Sequence, residues 1–408
     1  MADISKKPWV SPGKWSTSMY NWEKEIRSRW TLPSKVVIHD VTLRDGEQTP
    51  GIVFRMEEKL KIAHALADAG VRRIEGGMAA VSPEDAEAIS RMSKEIKTAE
   101  IASFCRVRRG DIDLSLKANV KRVIIELAAR DQQIKSVFGS LEKAVESLID
   151  VIKYAKSQGV LVTLFLMESS RADLDLLKAL IIAPVKEGKP DSLALVDTRG
   201  VCLPEGFGFL VRTIKKWVNI PIEVHCHNVW GLGTANTLAA VTAGAEVVHT
   251  CINGLGGNAS LDECVIGLES LLGIPTGIDT TKMLGISQMT REFACTNWYK
   301  PFVGEGVSDV EAGIPAKSMW ENRNEPGMGR EFLNYEIVGG KSATLVLGKK
   351  SGRFSIILKA HELNLPLPSE EQSNEMLTHV KNLSTEKKRL VNDEEFKAIY
   401  NKIMNARA

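Results

Sequence analysis

The sequence predicts an α/β fold: a (β/α)8 TIM barrel followed by a mixed, mostly helical C-terminal region. Three observations lead there. Between residue 36 and about residue 273 eight short β-branched runs alternate with helical patterns, the sign of a parallel sheet wrapped by helices. The helices close in glycine where a C-cap is wanted (Gly70, Gly159, Gly188, Gly244, Gly273). Polar residues gather where the runs end, the active-site face of a barrel. A doubly wound open sheet is the competing architecture, but no G-x-G-x-x-G follows the first run.

In order, "KVVIHDVTL" leads into the helix "MEEKLKIAHALADAG", and "VRRIEGGM" into "SPEDAEAISRMSKE". "IASFCRV" precedes "GDIDLSLKAN", and "RVIIELAA" precedes the long "SLEKAVESLIDVIKYAKSQG". "VLVTLFLME" is followed by "ADLDLLKALIIAPVKEG", and "SLALVDT" by "LPEGFGFLVRTIKKWV". "IEVHCHN" with "GTANTLAAVTAG" and "EVVHTCING" with "NASLDECVIGLESLLG" complete the eight. The barrel is assigned to residues 35–275. Residues 1–34 form an arm holding Trp9, Trp15, Trp22 and Trp30, rings too large to leave in water, so the arm is expected to dock on the barrel or on a second subunit. Residues 276–408 form the tail, glycine-rich and loop-like from "NWYKPFVGEG" to "VLGKKSGRF" and then three amphipathic helices.

Composition narrows the function. Lys+Arg 53 against Asp+Glu 51 leaves a formal charge of +2, so no nucleic-acid or anionic-membrane partner is expected and a small molecule is. The six cysteines include no Cys-x-x-Cys pair, which argues against a disulfide scaffold or zinc ribbon and for a reducing compartment. No stretch approaches the roughly 20 apolar residues of a membrane span, and the N-terminus lacks a secretory h-region. A cytoplasmic location is expected.

The strand ends hold Arg44 and Asp45, Glu75, Glu168, Asp197 and Thr198, then His225 and His227, and the eighth run leads to Asn258. Buried unpaired polar groups cost several kcal/mol each, so a core has no use for such a set. His225 and His227 lie two apart on a strand and share a face, while Cys226 points the other way. If that face is the barrel interior, two imidazoles converge near the axis; a carboxylate, naturally Asp45, and one further oxygen would complete a site for one divalent ion, Mn, Mg, Zn or Co rather than copper. The bland alternative is two histidines that only hydrogen-bond at a strand end. His39, His64, His249, His361 and His379 show no such pattern and read as structural.

"DVTLRDGEQTPG", "GVRRIEGGMAAVSPED", "HCHN", "NGLGGNASLDE" and "VLGKKSGR" together resemble the DRE-TIM metallolyases (HMGL-like), closest to the branch of 2-isopropylmalate, homocitrate and citramalate synthases, from about residue 35 to about 400. The resemblance implies a divalent metal held by Asp45, His225, His227 and Asn258, and makes Arg44 the group that polarises the reacting carbonyl. It implies Glu168 as a catalytic acidic residue and Thr198 as the residue that binds the substrate carboxylate; Glu75, Arg199 and Gln48 are expected to bind substrate beside it. The implied reaction is a Claisen condensation of an acyl-CoA, in the first place acetyl-CoA, with a 2-oxo acid; a metal-dependent lyase or aldolase is the alternative, and a non-catalytic metal-holding protein a third reading. A metal and an arginine around one carbonyl oxygen serve bond formation and cleavage alike. The family's tail reaches over a partner's barrel mouth, which implies a homodimer, and no regulatory domain is expected in the tail.

Departures from the pattern are specific. Val310 and Pro315 stand where these synthases carry tail histidines implicated in proton transfer, Val229 replaces an acid beside the metal, and Gln133 replaces a histidine after the fourth run. "GLGGNA" is three residues shorter than the usual loop, and "DTRG" introduces Arg199, which either points inward or lies solvated. Lys349, Lys350 and Arg353 either meet a CoA phosphate or form a solvated basic face.

Overall fold

The computed structural model describes residues 7–11, 14–295, 309–321 and 344–405. Contacts divide the chain into two compact units, residues 1–46 with 59–289, and residues 47–58 with 290–408.

The first unit is a closed barrel of eight parallel strands: β1 (Val37–Asp40), β2 (Arg73–Glu75), β3 (Glu100–Arg106), β4 (Arg122–Ala128), β5 (Leu161–Met167), β6 (Ser192–Asp197), β7 (Ile222–Cys226) and β8 (Val247–Thr250). Neighbours in sequence are neighbours in the sheet, and β8 closes on β1 with Val247 opposite Val37. The sequence predicted each strand. The fourth connection holds two helices, Asp131–Phe138 and Leu141–Ser157, rather than one, because Gly139 at φ +83 breaks the run and Ser140 caps the second helix through Lys143 N.

Gly70, Gly159, Gly244 and Gly273 sit at positive φ after their helices, as C-capping requires. Gly188 differs. A π-turn over Pro184–Gly188 pushes the left-handed position on to Lys189, and Gly188 is needed for closeness instead, since a Cβ there would stand 3.0 Å from Ile152 Cγ2.

Inside the barrel the side chains stack in tiers. The floor is polar: Arg73 reaches Glu223 (2.6 Å) and Glu100 (2.9 Å), while Arg122 donates to Thr163 Oγ1 (3.1 Å) and Ser192 Oγ (3.3 Å). A buried charge is tolerated only when paired and hydrogen-bonded, and here each carboxylate has a guanidinium. Above it lies an apolar tier of Ala102, Phe104, Ile124, Phe165, Ala194 and Val196.

The arm docks on the barrel unit. Arg27 stacks on Trp22 (3.7 Å to the ring centroid) and Trp30 (4.8 Å) and donates to the carbonyls of Leu271 (3.3 Å) and Leu272 (2.9 Å), the orphan acceptors at the end of the last barrel helix.

In the second unit, helices Arg353–Glu362, Glu370–Lys387 and Asp393–Asn405 enclose a core of Ile356, Met376, Val380, Phe396, Tyr400 and Ile403. The predicted loop-like stretch lies largely outside the described residues. Its described part contains a helix, Gly313–Glu321, and a two-residue ladder pairing Val310 with Leu345. Val310 is buried in that ladder, and Pro315 occupies the helix's first turn, where a missing N–H costs nothing. Lys349 and Lys350 are neither phosphate contacts nor a solvated face. Lys349 is buried and the Lys350 side chain is only 6% exposed, and both meet Glu47, at 3.5 and 2.7 Å, because a charge taken out of water needs its counter-charge at hand. Arg353 pairs with Glu370 at 2.7 Å. Among the described residues no helix is long and apolar enough to cross a membrane.

Candidate metal centre

As β1 ends, the N–H groups of Arg44, Asp45 and Gly46 all converge on the carbonyl of Val41 (3.2, 2.8 and 3.2 Å), a tight turn that delivers Arg44 and Asp45 to the barrel mouth. Arg44 lies over the face of Phe104, 4.1 Å from its centroid, with its Nε on Glu75 and its Nη1 on Asp45. Burial alone would lower its guanidinium, but Asp45 and Glu75 outweigh burial and hold it above its ordinary value. Burial likewise pushes Asp45 upward, yet Arg44 and the two histidines win and keep its carboxyl well below the usual range.

The histidines of β7 do face inward. His225 Nε2 and His227 Nε2 each lie 3.3 Å from Asp45 Oδ2, and one ligand atom from each of the three residues lies within 4.8 Å of the others. Ligands about 2.1 Å from a common ion stand about 3.0–3.4 Å apart, so the spacing fits a divalent cation. The chemistry of the donors fits as well. Burial pushes His225 down to about 3, so its ring is the neutral, ligating form.

A second tier orients the first. His225 Nδ1 meets His249 Nδ1 at 3.3 Å, and His249 Nε2 meets Glu223 Oε2 at 2.8 Å. A carboxylate only accepts, so His249 donates from Nε2. With one proton per ring its Nδ1 then accepts from His225 Nδ1, which leaves the His225 Nε2 lone pair aimed at Asp45. The His225 Nε2 lone pair and the Asp45 carboxylate thus face each other across 3.3 Å, and His227 Nε2 stands at the same distance from Asp45, a spacing suited to a cation among them. His39, Glu223 and His249 form another group with ligand-like spacing. That group is fully buried, and Glu223 is already held by Arg73, Ser192 and Thr163, so an ion there would be set against a guanidinium. It is a support, so His39 and His249 are structural, as the sequence reading has them, and lie in the barrel interior.

Asn258 is brought to the centre by an isolated bridge to His227. Its Nδ2 donates to Asp45 Oδ2 (2.9 Å) and to Leu255 O (3.0 Å), so the amide braces Asp45 directly. Gly256 makes this approach possible: it has φ +70, and a Cβ would stand 2.6 Å from Asp45 O and 2.8 Å from Asn258 Nδ2. Gly200 does the same for the "DTRG" turn, where a Cβ would be 2.5 Å from His227 O.

Glu168 takes the left-handed region (φ +62, ψ 17), which costs a non-glycine residue about 1 kcal/mol or more and is characteristic of functional turns. Its N–H is held by Thr198 Oγ1 (2.7 Å), and its carboxylate lies between Arg171 and Arg199, each at 3.1 Å. Arg199 therefore points inward. Asp197 accepts from Ser170, Asn236 and the N–H groups of Val201 and Cys202, and so shapes the turn. Glu75 is completely buried behind Arg44, where it positions that side chain and has no open face of its own. Gln48 is exposed and lies within the segment that packs in the second unit. His249, Glu223, Arg73 and Arg171 were missed from sequence. For Glu223 a signal existed, since it stands two residues before His225 on the same strand face.

Residues 35–290 match the family model described as HMGL-like. The chain is 35% identical over 390 residues to a homocitrate synthase of Methanopyrus kandleri, covering 94% of this chain and 96% of that protein. It is 37% identical over 363 residues to a putative (R)-citramalate synthase of Archaeoglobus fulgidus (87% and 73% covered) and 36% identical over 397 residues to a 2-isopropylmalate synthase of Methanocaldococcus jannaschii (93% and 75%). Among solved structures, a Bacillus subtilis HMG-CoA lyase matches with TM-score 0.58 at 22% identity over 68% of this chain and 98% of that one. An Acinetobacter baumannii HMG-CoA lyase in complex with coenzyme A and 3-methylmalate matches with TM-score 0.57 at 18% identity, over 65% and 92%. At those identities the likeness is one of fold.

Proposed function

We propose a function from the premise that this chain belongs to the HMGL-like family: it is a carbon–carbon bond-forming acyltransferase that condenses an acyl-CoA, acetyl-CoA first among them, with a 2-oxo acid. One observation carries the reading. The three synthases align along 87–94% of the chain, tail included, whereas the two lyase structures match 65–68% of it. The tail is thus a property shared with condensing enzymes.

The residues suit the chemistry. Asp45, His225 and His227, with Asn258 beside them, would hold one divalent ion, Mn, Mg, Zn or Co, which supplies Lewis-acid polarisation of the acceptor's keto group. Arg44, pinned by Glu75, places a permanent positive charge where that oxygen gains electrons. Thr198 and Arg199 are proposed to bind the acceptor's carboxylate, and Glu168 to order the same turn. We also propose a homodimer, which light scattering of the purified protein would check, and a cytoplasmic location, which cell fractionation would check.

The test supplies Mn or Mg, a panel of 2-oxo acids and acyl-CoAs, and follows free thiol beside pyruvate. Thiol that appears only with both substrates is expected. Pyruvate from a hydroxy acid alone would replace the condensing reading by an aldolase.

A further inference from the structure

Condensation needs a base for the acyl donor and an acid for the new alkoxide, and the positions that hold relay histidines in similar synthases are Val310 and Pro315 here. The carboxylates at the barrel mouth are mostly committed: Asp45 to Arg44 and the histidines, Glu75 to Arg44, Glu168 to two arginines, Asp197 to its turn. Glu126 differs. It is 8% exposed and, among the described residues, has neither a hydrogen bond nor an ion pair.

Strand alternation turns it inward. Glu126 stands two residues beyond Ile124, which lies in the interior tier with Phe104 and Phe165, and it is registered against Phe165 on β5 and Arg106 on β3. The Phe165 ring lies 5.4 Å from that of His225, and the Arg44 guanidinium 5.7 Å from Phe165. Arg106 is turned to Asp111 in a two-point pair (2.8 and 2.9 Å), so it does not quench Glu126 by contact. The carboxyl therefore faces the barrel interior within the electrostatic reach of Arg44, beside the Phe165 ring that touches His225, and among the described residues its lone pairs are unused.

We infer that Glu126 is the general base and acid of the condensation, taking the place of the missing tail relay. The inference rests on the condensing reading above. The Glu126 carboxylate takes an α-proton from the acyl-CoA, and the C–H pair moves into the thioester enolate. The enolate carbon bonds to the keto carbon of the 2-oxo acid while that π pair moves to oxygen. The proton on Glu126 passes to the resulting alkoxide and restores the carboxylate. Water then cleaves the thioester and frees CoA.

Burial pushes the Glu126 carboxyl up to about 7, against the opposing pull of Arg44 and Arg106 and with a small contribution from Asp111. A base poised there is matched to neutral pH. Activity requires the carboxylate, so kcat/KM should fall as pH drops through about 7. The stability sign is opposite. A carboxyl whose folded value lies above its unfolded one stabilises the protonated fold at low pH, and that stability is lost as pH rises through about 7.

Glu126→Gln tests both consequences. It should lower kcat by about 100-fold or more, abolish the acid limb, leave metal and 2-oxo acid binding intact, and raise Tm above pH 8. Glu126→Asp should restore a titrating limb at a lower rate. Undiminished kcat with an unchanged pH profile in Glu126→Gln overturns the inference alone. Absence of thiol release by the parent protein overturns the condensing reading and this one with it. If Glu126→Gln does not fold, the parent's own profile decides, and a flat kcat/KM between pH 6 and 8 counts against Glu126.

Discussion

The floor and the mouth of the barrel are both built from buried polar side chains and behave as opposites. At the floor Arg73, Glu100, Arg122 and Glu223 neutralise one another, with Thr163 and Ser192 filling the remaining hydrogen-bonding positions. At the mouth Asp45 stands 3.3 Å from His225 and from His227, and among the described residues Glu126 has neither a hydrogen bond nor an ion pair. Buried polar groups left facing each other unsatisfied persist only where something else completes them. The floor is therefore read as support and the mouth as chemistry, and the two are joined by one contact chain from Glu223 through His249 to His225.

Three variants probe that division. The largest effect is expected from Asp45→Asn, which keeps shape but removes the anionic centre of the group; metal content measured on the purified variant should fall to background while circular dichroism stays that of the parent. Full occupancy would remove Asp45 from the ligand set. Next comes Arg73→Ala at the floor, which strands Glu223 without its counter-charge and should cost about 3–5 kcal/mol in denaturant unfolding. A variant as stable as the parent would show that the floor ion pairs are not what supports the barrel. The smallest effect belongs to the connection. His249→Phe fills the space but cannot hold the His225 tautomer, and should weaken metal binding by about 10- to 100-fold in calorimetry. Unchanged affinity would break the link between the two tiers.

Much of the site was legible because its signals are local. "TLRDGEQ" and "HCHN" each lie on a few consecutive residues, and period-two alternation turned His225 and His227 to one face before any coordinates were known. His39 and His249 were not legible. They sit 210 positions apart and meet, with ring centroids 4.3 Å apart, only because β8 closes on β1. The motif "DGEQ" hid a division of labour for the same reason: Asp45 serves the barrel, while Glu47 receives Lys349 and Lys350 some 300 residues later. Nothing near Lys349 in the chain says that its partner is a carboxylate rather than water or a phosphate.

Periodicity, glycine placement and strand-end polarity are properties of neighbouring residues, so the chain alone determined a barrel, its eight strands and the end at which chemistry occurs. Which charge neutralises which is a property of closure, because barrel geometry brings together residues hundreds of positions apart. Only the tertiary structure therefore decided that Arg199 and Arg171 enclose Glu168, that Glu75 holds Arg44, and that Glu126 is left without a hydrogen-bond or ion-pair partner among the described residues.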